Sequence, residues 1–302
     1  MPVPVPPIAE KPFVTSSDPR ASVLEHGYVF LPGLLDPAKV RATRTALLNA
    51  ASGAGWLAPG SDPEDARPGD RVHDERDRED FANAYRDVQR AQPFHELAHS
   101  DELLGAVHEV LGEPSFCLPF KIGRFSFPGS DLGPTPPHQD YYYIQGSTDT
   151  LTAWVPLGAC PAGSGRLVAL AGSHRLGPLP PIPLEGTNGL RMETEHLGLE
   201  WHGSDYALGD VLLFHSLLVH GAEANTNDRV RVSADYRYQP VADPIAANSL
   251  EPHFEVTTWD DVYSDWDDDA LQYYWKGLPL DVRPVSNDAD LLARRATSRL
   301  LA

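Results

Sequence analysis

His138 and Asp140 stand two residues apart, and His220 follows 82 positions after His138 (220 − 138). Two histidines and one carboxylate are the donor set of the facial triad that holds non-haem Fe(II) and leaves coordination positions open. Open positions are what a metal that activates O₂ needs. Arg231 and Ser233 come eleven and thirteen residues after His220. A guanidinium fork matches a carboxylate bidentately, and a hydroxyl two residues on shares its face of a strand. That pair is suited to clamp the far carboxylate of a bound 2-oxo acid.

Each candidate has a duller explanation. A His-x-Asp pattern is cheap, and His99-Ser100-Asp101 is a second one, placed where a helix start explains it. His138 instead follows Pro134-Thr135-Pro136-Pro137 and runs into Tyr141-Tyr142-Tyr143-Ile144, which reads as a strand. In a strand His138, Asp140 and Tyr142 would face one side, which makes Tyr142 a candidate substrate contact. His220 closes an apolar run that also holds a rival, His215. His220 is preferred because Gly221 turns strand into loop there. A buried Arg231 needs an anionic partner, and the alternative to a cosubstrate is an ion pair with Asp228 or Asp235. Arg229 and Arg237 are weaker candidates. Lys121 and Arg124, on the preceding strand, are candidates for the cosubstrate as well. Between Leu151 and Leu157 one face carries Leu151, Ala153 and Val155, the other Thr152 and Trp154. Thr152 is thus a cosubstrate candidate and Trp154 a substrate candidate. His174 reads as a turn residue.

The elements that must position these residues are mostly short. Asp36-Pro37 starts a helix with Val40, Leu47 and Leu48 on its apolar stripe. Ser100 to Gly112 is a second helix, with Leu103, Leu104, Val107 and Leu111 inward. After it come short strands separated by Gly/Pro turns. The expected fold is mainly β with flanking helices, around a double-stranded β-helix (a cupin-like jelly roll). The expected layout is a disordered arm over 1–20, then one domain over 21–302. That domain has a helical part (21–112), a jelly-roll core (113–240) and an acidic extension (241–302). The densely charged stretch Trp56 to Arg90 reads as a solvated loop and helix face, with a mobile lid as the alternative.

The formal charge of −19 over 302 residues argues against nucleic acid. Two cysteines, Cys117 and Cys160, fit a reducing cytoplasm. The proline-rich start lacks a signal-peptide pattern, and no apolar run is long enough to span a membrane. A small-molecule substrate is expected; a homo-oligomer is left open.

Taken together the motifs resemble the phytanoyl-CoA dioxygenase family of Fe(II)/2-oxoglutarate oxygenases. The resemblance rests on Gly27-Tyr28-Val29 with Leu34-Leu35-Asp36, Pro137-His138-Gln139-Asp140, and Trp154-Val155-Pro156-Leu157. It continues through Gly165-Arg166-Leu167, Gly172-Ser173-His174, Gly209-Asp210-Val211, His220-Gly221 with Asn225, and Arg231. Gly163-Ser164-Gly165 departs from the family's usual Asn-Gly. The resemblance implies Fe(II) on His138, Asp140 and His220, 2-oxoglutarate on Arg231, and O₂ as oxidant. Asp140 stands where the family's halogenases carry a small residue, so the implied chemistry is hydroxylation, with desaturation, epoxidation or cyclisation as branches. A small molecule of natural-product biosynthesis is the expected substrate. The alternatives are a phytanoyl-CoA-like acyl hydroxylase, a cupin-type metal-dependent hydrolase or isomerase, and a non-catalytic jelly-roll binding protein.

Overall fold

The computed structural model describes residue 9 and residues 11–70, 78–129, 133–184 and 189–302, side chains of 78–80 excepted. In chain order the strands are β1 (Tyr28–Leu31), β2 (Ser115–Cys117), β3 (Ile122–Ser126), β4 (Leu151–Pro156), β5 (Leu167–Leu170), β6 (Ile182–Pro183) and β7 (Leu190–Arg191). There follow β8 (Trp201–His202), β9 (Val211–His215), β10 (His220–Ala222), β11 (Arg231–Pro240), β12 (Pro244–Ala246) and β13 (Asp281–Arg283). The helices are α1 (Pro19–His26), α2 (Pro37–Gly53), α3 (Arg78–Arg90), α4 (Gln92–Leu97), α5 (Asp101–Leu111), α6 (Tyr141–Ile144), α7 (Trp259–Tyr263) and α8 (Ala289–Arg295).

The larger sheet runs β1-β9-β4-β11-β2, with β3 paired to the same edge of β11. A smaller sheet, β10-β5-β8, faces it. Their common interior holds Phe30, Trp154, Leu212 and Phe214 from one sheet against Leu167, Ala169 and Leu218 from the other side. This is the expected jelly roll. The period of two decides which residues reach it. On β11, Val232, Ala234, Tyr236 and Tyr238 face outward into a second core built with α2, α3, α4 and α5. Arg231, Ser233, Asp235 and Arg237 therefore face inward.

The outer helices form where the residues ask for them. Asp36 caps α2 by accepting from the Ala38 amide, Pro37 takes the first turn, and Val40, Leu47 and Leu48 are buried as expected. Ser100 is the N-cap of α5, but among the described residues its hydroxyl has no partner, so the helix starts without that side-chain bond. Tyr236 and Tyr238 donate to the Phe94 and Ala98 carbonyls at 2.8 and 2.7 Å, tying the sheet to α4.

Two regions depart from expectation, and a third, the acidic extension, takes one of two expected courses, packing over the barrel, the other being an oligomer contact. Residues 11 to 18 were expected in an arm without structure, yet Phe13 packs its ring against Tyr28, Phe30 and Tyr206. A single aromatic anchor with three ring partners is a tertiary contact that local composition cannot reveal. The charged stretch is anchored at both ends, by buried Trp56 and Leu57 and by Tyr85 and Val88. Residues 71–77 of that stretch, at the heart of the lid reading, lie outside the described residues. The acidic extension packs on this chain itself: Trp259, Val262, Tyr263 and Trp275 cover Phe116, Leu118, Ile144 and Ile245.

Beyond it, residues 286–300 return to the segment after Asp140. Gln145 and Ser286 exchange two bonds, at 2.8 and 2.9 Å. Tyr141 donates to the Leu292 carbonyl at 3.0 Å. Asp149 accepts from the Ser298 hydroxyl and from the amides of Arg299 and Leu300. Among the described residues no helix is long and apolar enough to cross a membrane.

Candidate active site

His138 follows a bend at Pro137 and pairs with the first residue of β10. Its amide donates to the His220 carbonyl at 2.9 Å, and the His220 amide donates back at 3.0 Å. Two residues 82 apart in sequence thus become direct neighbours, with ring centroids 4.2 Å apart. Asp140 then leaves the extended path (φ −60°, ψ −29°) and starts α6. Its Oδ1 lies 3.6 Å from His138 Nε2 and 3.7 Å from His220 Nε2. All three donor atoms lie within 4.8 Å of one another.

The ring orientations fit a metal. His138 Nδ1 sits 2.9 Å from the Pro136 carbonyl and His220 Nδ1 3.0 Å from the Leu218 carbonyl. A carbonyl only accepts, so each ring carries its proton on Nδ1 and presents a lone pair on Nε2. Burial, and then the nearby His138, push His220 down to about 3, so its ring is neutral. Burial pushes Asp140 upward, but the Arg237 guanidinium and both histidines outweigh it and hold the carboxyl well below the usual range. The result is two ring nitrogens and a carboxylate, on residues at most 5 % exposed, which is the donor set that Fe(II) takes.

Asp140 Oδ2 is occupied. It accepts from Thr152 Oγ1 at 2.7 Å and from Arg237 Nη2 at 3.2 Å. Arg237 also lies 3.5 Å from Asp235, whose Oδ2 accepts from Arg124 Nε at 2.6 Å. Arg237 is buried, and its Nε and Nη1 have no partner.

Six residues earlier on the same face, Arg231 is held differently. Nη1 donates to Ser233 Oγ at 2.7 Å, and Nε and Nη2 donate to the Gly165 carbonyl at 3.1 and 2.7 Å. Gly165 has a left-handed φ of +78°, and a Cβ there would stand 2.7 Å from Ser126 Oγ. That turn aims its carbonyl at the fork. Asp228 pairs with Arg229, and Asp235 with Arg124 and Arg237. Among the described residues Arg231 therefore has no ion pair. Three of its five N–H groups are used (5 − 3 = 2 remain), and a carboxylate takes two. The Trp154 ring lies under the guanidinium, 5.6 Å from centroid to Cζ. Burial lowers the Arg231 pKa, which marks a charge short of compensation.

Other expected site residues go elsewhere. Thr152 bonds the Asp140 carboxylate and so serves the triad, not the cosubstrate. Trp154 lies under the Arg231 guanidinium and meets the Tyr206 ring edge-on at 4.7 Å, placing it beside the Arg231 fork. Arg124 faces the interior opposite Ser233, engaged with Asp235. Lys121 points the other way: Nζ donates to the Leu118 and Pro119 carbonyls and to the Tyr274 hydroxyl. Tyr142 lies in a helical turn, not a strand, because Tyr143 and Ile144 both donate to the Asp140 carbonyl. The turn sends the Tyr142 hydroxyl to the Leu179 carbonyl and brings the Tyr143 ring edge-on to His138 at 5.7 Å. The rival His215 pairs with Asp149 at 3.6 Å. His99 packs on the Tyr274 ring at 4.6 Å, and His174 is buried beneath α1. Arg237 and Gly165 carry more of the site than the sequence reading allowed. Arg237 shares strand parity with Arg231, and Gly165 stood in the one stretch that departed from the family pattern.

Residues 23–233 match the family described as phytanoyl-CoA dioxygenase (PhyH). A 1-deoxypentalenic acid 11-beta-hydroxylase of Streptomyces arenae is 30% identical over 248 residues, 76% of this chain and 82% of that protein. Among solved structures, the non-haem alpha-ketoglutarate-dependent carbocyclase SnoK of nogalamycin biosynthesis superposes with a TM-score of 0.55 at 23% identity, covering 76% of this chain and 86% of that one. The epimerase SnoN, in complex with Fe³⁺, alpha-ketoglutarate and nogalamycin RO, gives 0.53 at 22% identity, covering 75% and 84%.

Proposed function

This chain belongs to the phytanoyl-CoA dioxygenase family of non-haem iron, 2-oxoglutarate-dependent oxygenases, and from that premise we propose that it oxidises an unactivated C–H bond of a small molecule in natural-product biosynthesis. His138, Asp140 and His220 hold Fe(II), and Arg231 with Ser233 holds the distal carboxylate of 2-oxoglutarate. The observation that carries this reading is the pair of Nε2 lone pairs converging on one carboxylate oxygen, with both Nδ1 protons held by backbone carbonyls.

Bound Fe(II) supplies the family's chemistry: 2-oxoglutarate and O₂ become succinate and CO₂ as one substrate C–H bond is oxidised. The protein's part is positional. The two backbone carbonyls set the histidine rings before metal arrives. Arg231, short of a carboxylate, selects a cosubstrate with an acid at its far end. The buried interior excludes water around the reacting centre. Tyr143, 38 % exposed and edge-on to His138, is the wall a substrate meets beside the triad. The net charge of −19 disfavours a polyanionic CoA thioester, and the similarity to a 1-deoxypentalenic acid 11-beta-hydroxylase supports a small-molecule substrate. An Arg231 that meets no carboxylate among the described residues would have no task in a hydrolase or isomerase that works without 2-oxoglutarate.

The test is succinate formation by protein loaded with Fe(II) without oxygen, then given 2-oxoglutarate and air. Succinate from wild type that falls away in Arg231→Ala supports the reading. No succinate from wild type in a broad mixture of terpenoid and polyketide metabolites would overturn it.

A further inference from the structure

A carboxylate can meet a metal through one oxygen or through both. The choice matters here because a facial triad leaves three positions. A 2-oxo acid chelating through two oxygens takes two, which leaves one for O₂. A carboxylate binding through both oxygens would close that last position.

Resting on the assignment of His138, Asp140 and His220 as the iron ligands, we infer that Arg237 and Thr152 restrain Asp140 to bind iron through Oδ1 alone, which keeps the last position open. Oδ1 is the atom near-equidistant from the two Nε2 atoms, at 3.6 and 3.7 Å. Oδ2 is bonded on its other side by Thr152 and Arg237, at 2.7 and 3.2 Å. Turning Oδ2 toward the metal would break both bonds inside a buried region, where orphaned polar groups are costly.

The arginine is a poor structural choice. Its side chain is 3% exposed, and two of its nitrogens, Nε and Nη1, lack partners. Buried ion pairs are often no better for stability than apolar residues of the same size. Phe120, over which the guanidinium lies at 5.8 Å, would pack against a methionine as well. What the guanidinium adds is a positive charge fixed against one oxygen. Asp235, which accepts from Arg124, places a second carboxylate oxygen 3.5 Å from Arg237 Nη2. Arg237 is thus a positioning residue that acts through Asp140, and Thr152 aims the same oxygen without charge.

The two roles separate by mutation. Arg237→Met removes a positive charge near the cation site, so Co(II) binding tightens by about tenfold or more. A residue that merely propped the fold would loosen it. The double variant Thr152→Val, Arg237→Met frees Oδ2. Nitric oxide, which takes the position O₂ would use, then no longer gives its electron spin resonance signal with the Fe(II)–2-oxoglutarate protein, although metal still binds. Thr152→Val alone keeps every charge and should fold where the double variant does not; its nitric oxide signal falls at least twofold. The inference is overturned by a full nitric oxide signal in the variants, or by weaker Co(II) binding in Arg237→Met. Failure of the underlying assignment looks different: wild type itself would bind no Co(II), or His138→Ala would bind it equally well.

Discussion

Two arginines on one face of β11 have opposite surroundings. Arg231 meets a hydroxyl and a backbone carbonyl, with no carboxylate in ion-pairing distance among the described residues. Arg237 sits between Asp140 and Asp235. Burial leaves the first charge uncompensated and so tunes it to a partner from outside. The second is compensated twice over from within and so tunes a partner the chain already owns. Strand, face and side chain are shared, so only the neighbours set the task.

Both tasks presuppose one metal centre, so the largest effect comes from its ligands. His138→Ala or His220→Ala should abolish Co(II) binding by calorimetry and succinate formation together; normal turnover in either would dissolve the contrast. Next comes Arg231→Ala. Losing a buried charge partner is worth about 2–4 kcal/mol, or about 30- to 1,000-fold in 2-oxoglutarate affinity, with Co(II) affinity unchanged. A variant that lost metal as well would show that the two ends of the strand are not independent. Gly165→Ala should act on the Arg231 end alone. Its Cβ would strike Ser126 Oγ at 2.7 Å in a left-handed backbone, and about 1–3 kcal/mol of strain should raise the 2-oxoglutarate KM by roughly tenfold. Ser126→Gly in the same chain removes the clash and should recover part of that loss.

A last effect, on stability and not on the site, compares the two faces of the sheet by pH. His220 on the inner side and His99 on the outer are both held near 3, chiefly by burial, against an ordinary 6.5. The unfolded chain binds protons below 6.5 that the folded chain refuses. The neutral rings therefore contribute stability that is present above 6.5 and lost as pH falls toward 3. Each such histidine costs about 1.4 kcal/mol per pH unit across that window. Urea unfolding at pH 7 and pH 5 should show the loss, and His99→Phe should flatten the slope by one histidine's share.

How much of this the sequence displayed depended on parity and on partners. Residue type and spacing singled out His138, Asp140 and His220, whose donor atoms the structure brings within 4.8 Å of one another, and Arg231 with Ser233, which it places 2.7 Å apart. Lys121 and Arg124 could not both face the interior, since three residues along a strand reverse the side; strand parity alone already excluded one. Tyr142 was misplaced because Asp140 turns helical, and alternation says nothing about a residue whose carbonyl collects two amides. Arg237 was undervalued although it shares parity with Arg231, since its partner Asp140 is 97 residues away. The packing of Phe13 and the return of residues 286–300 are tertiary facts with no local signature.

That returning segment has a consequence for the order of synthesis. His220 leaves the ribosome 80 residues (300 − 220) before Leu300, a delay of roughly 4–16 s at ordinary translation rates. Throughout that interval the nascent chain owns every proposed iron ligand, yet the loop after Asp140 lacks its bonds from Ser298, Arg299 and Leu300. A chain ending before residue 286 keeps all three proposed ligands but lacks the bonds to Tyr141 and Gln145, and it should bind Co(II) more weakly than the full chain by calorimetry; equal affinity would show that the docked segment does not steady the loop after Asp140.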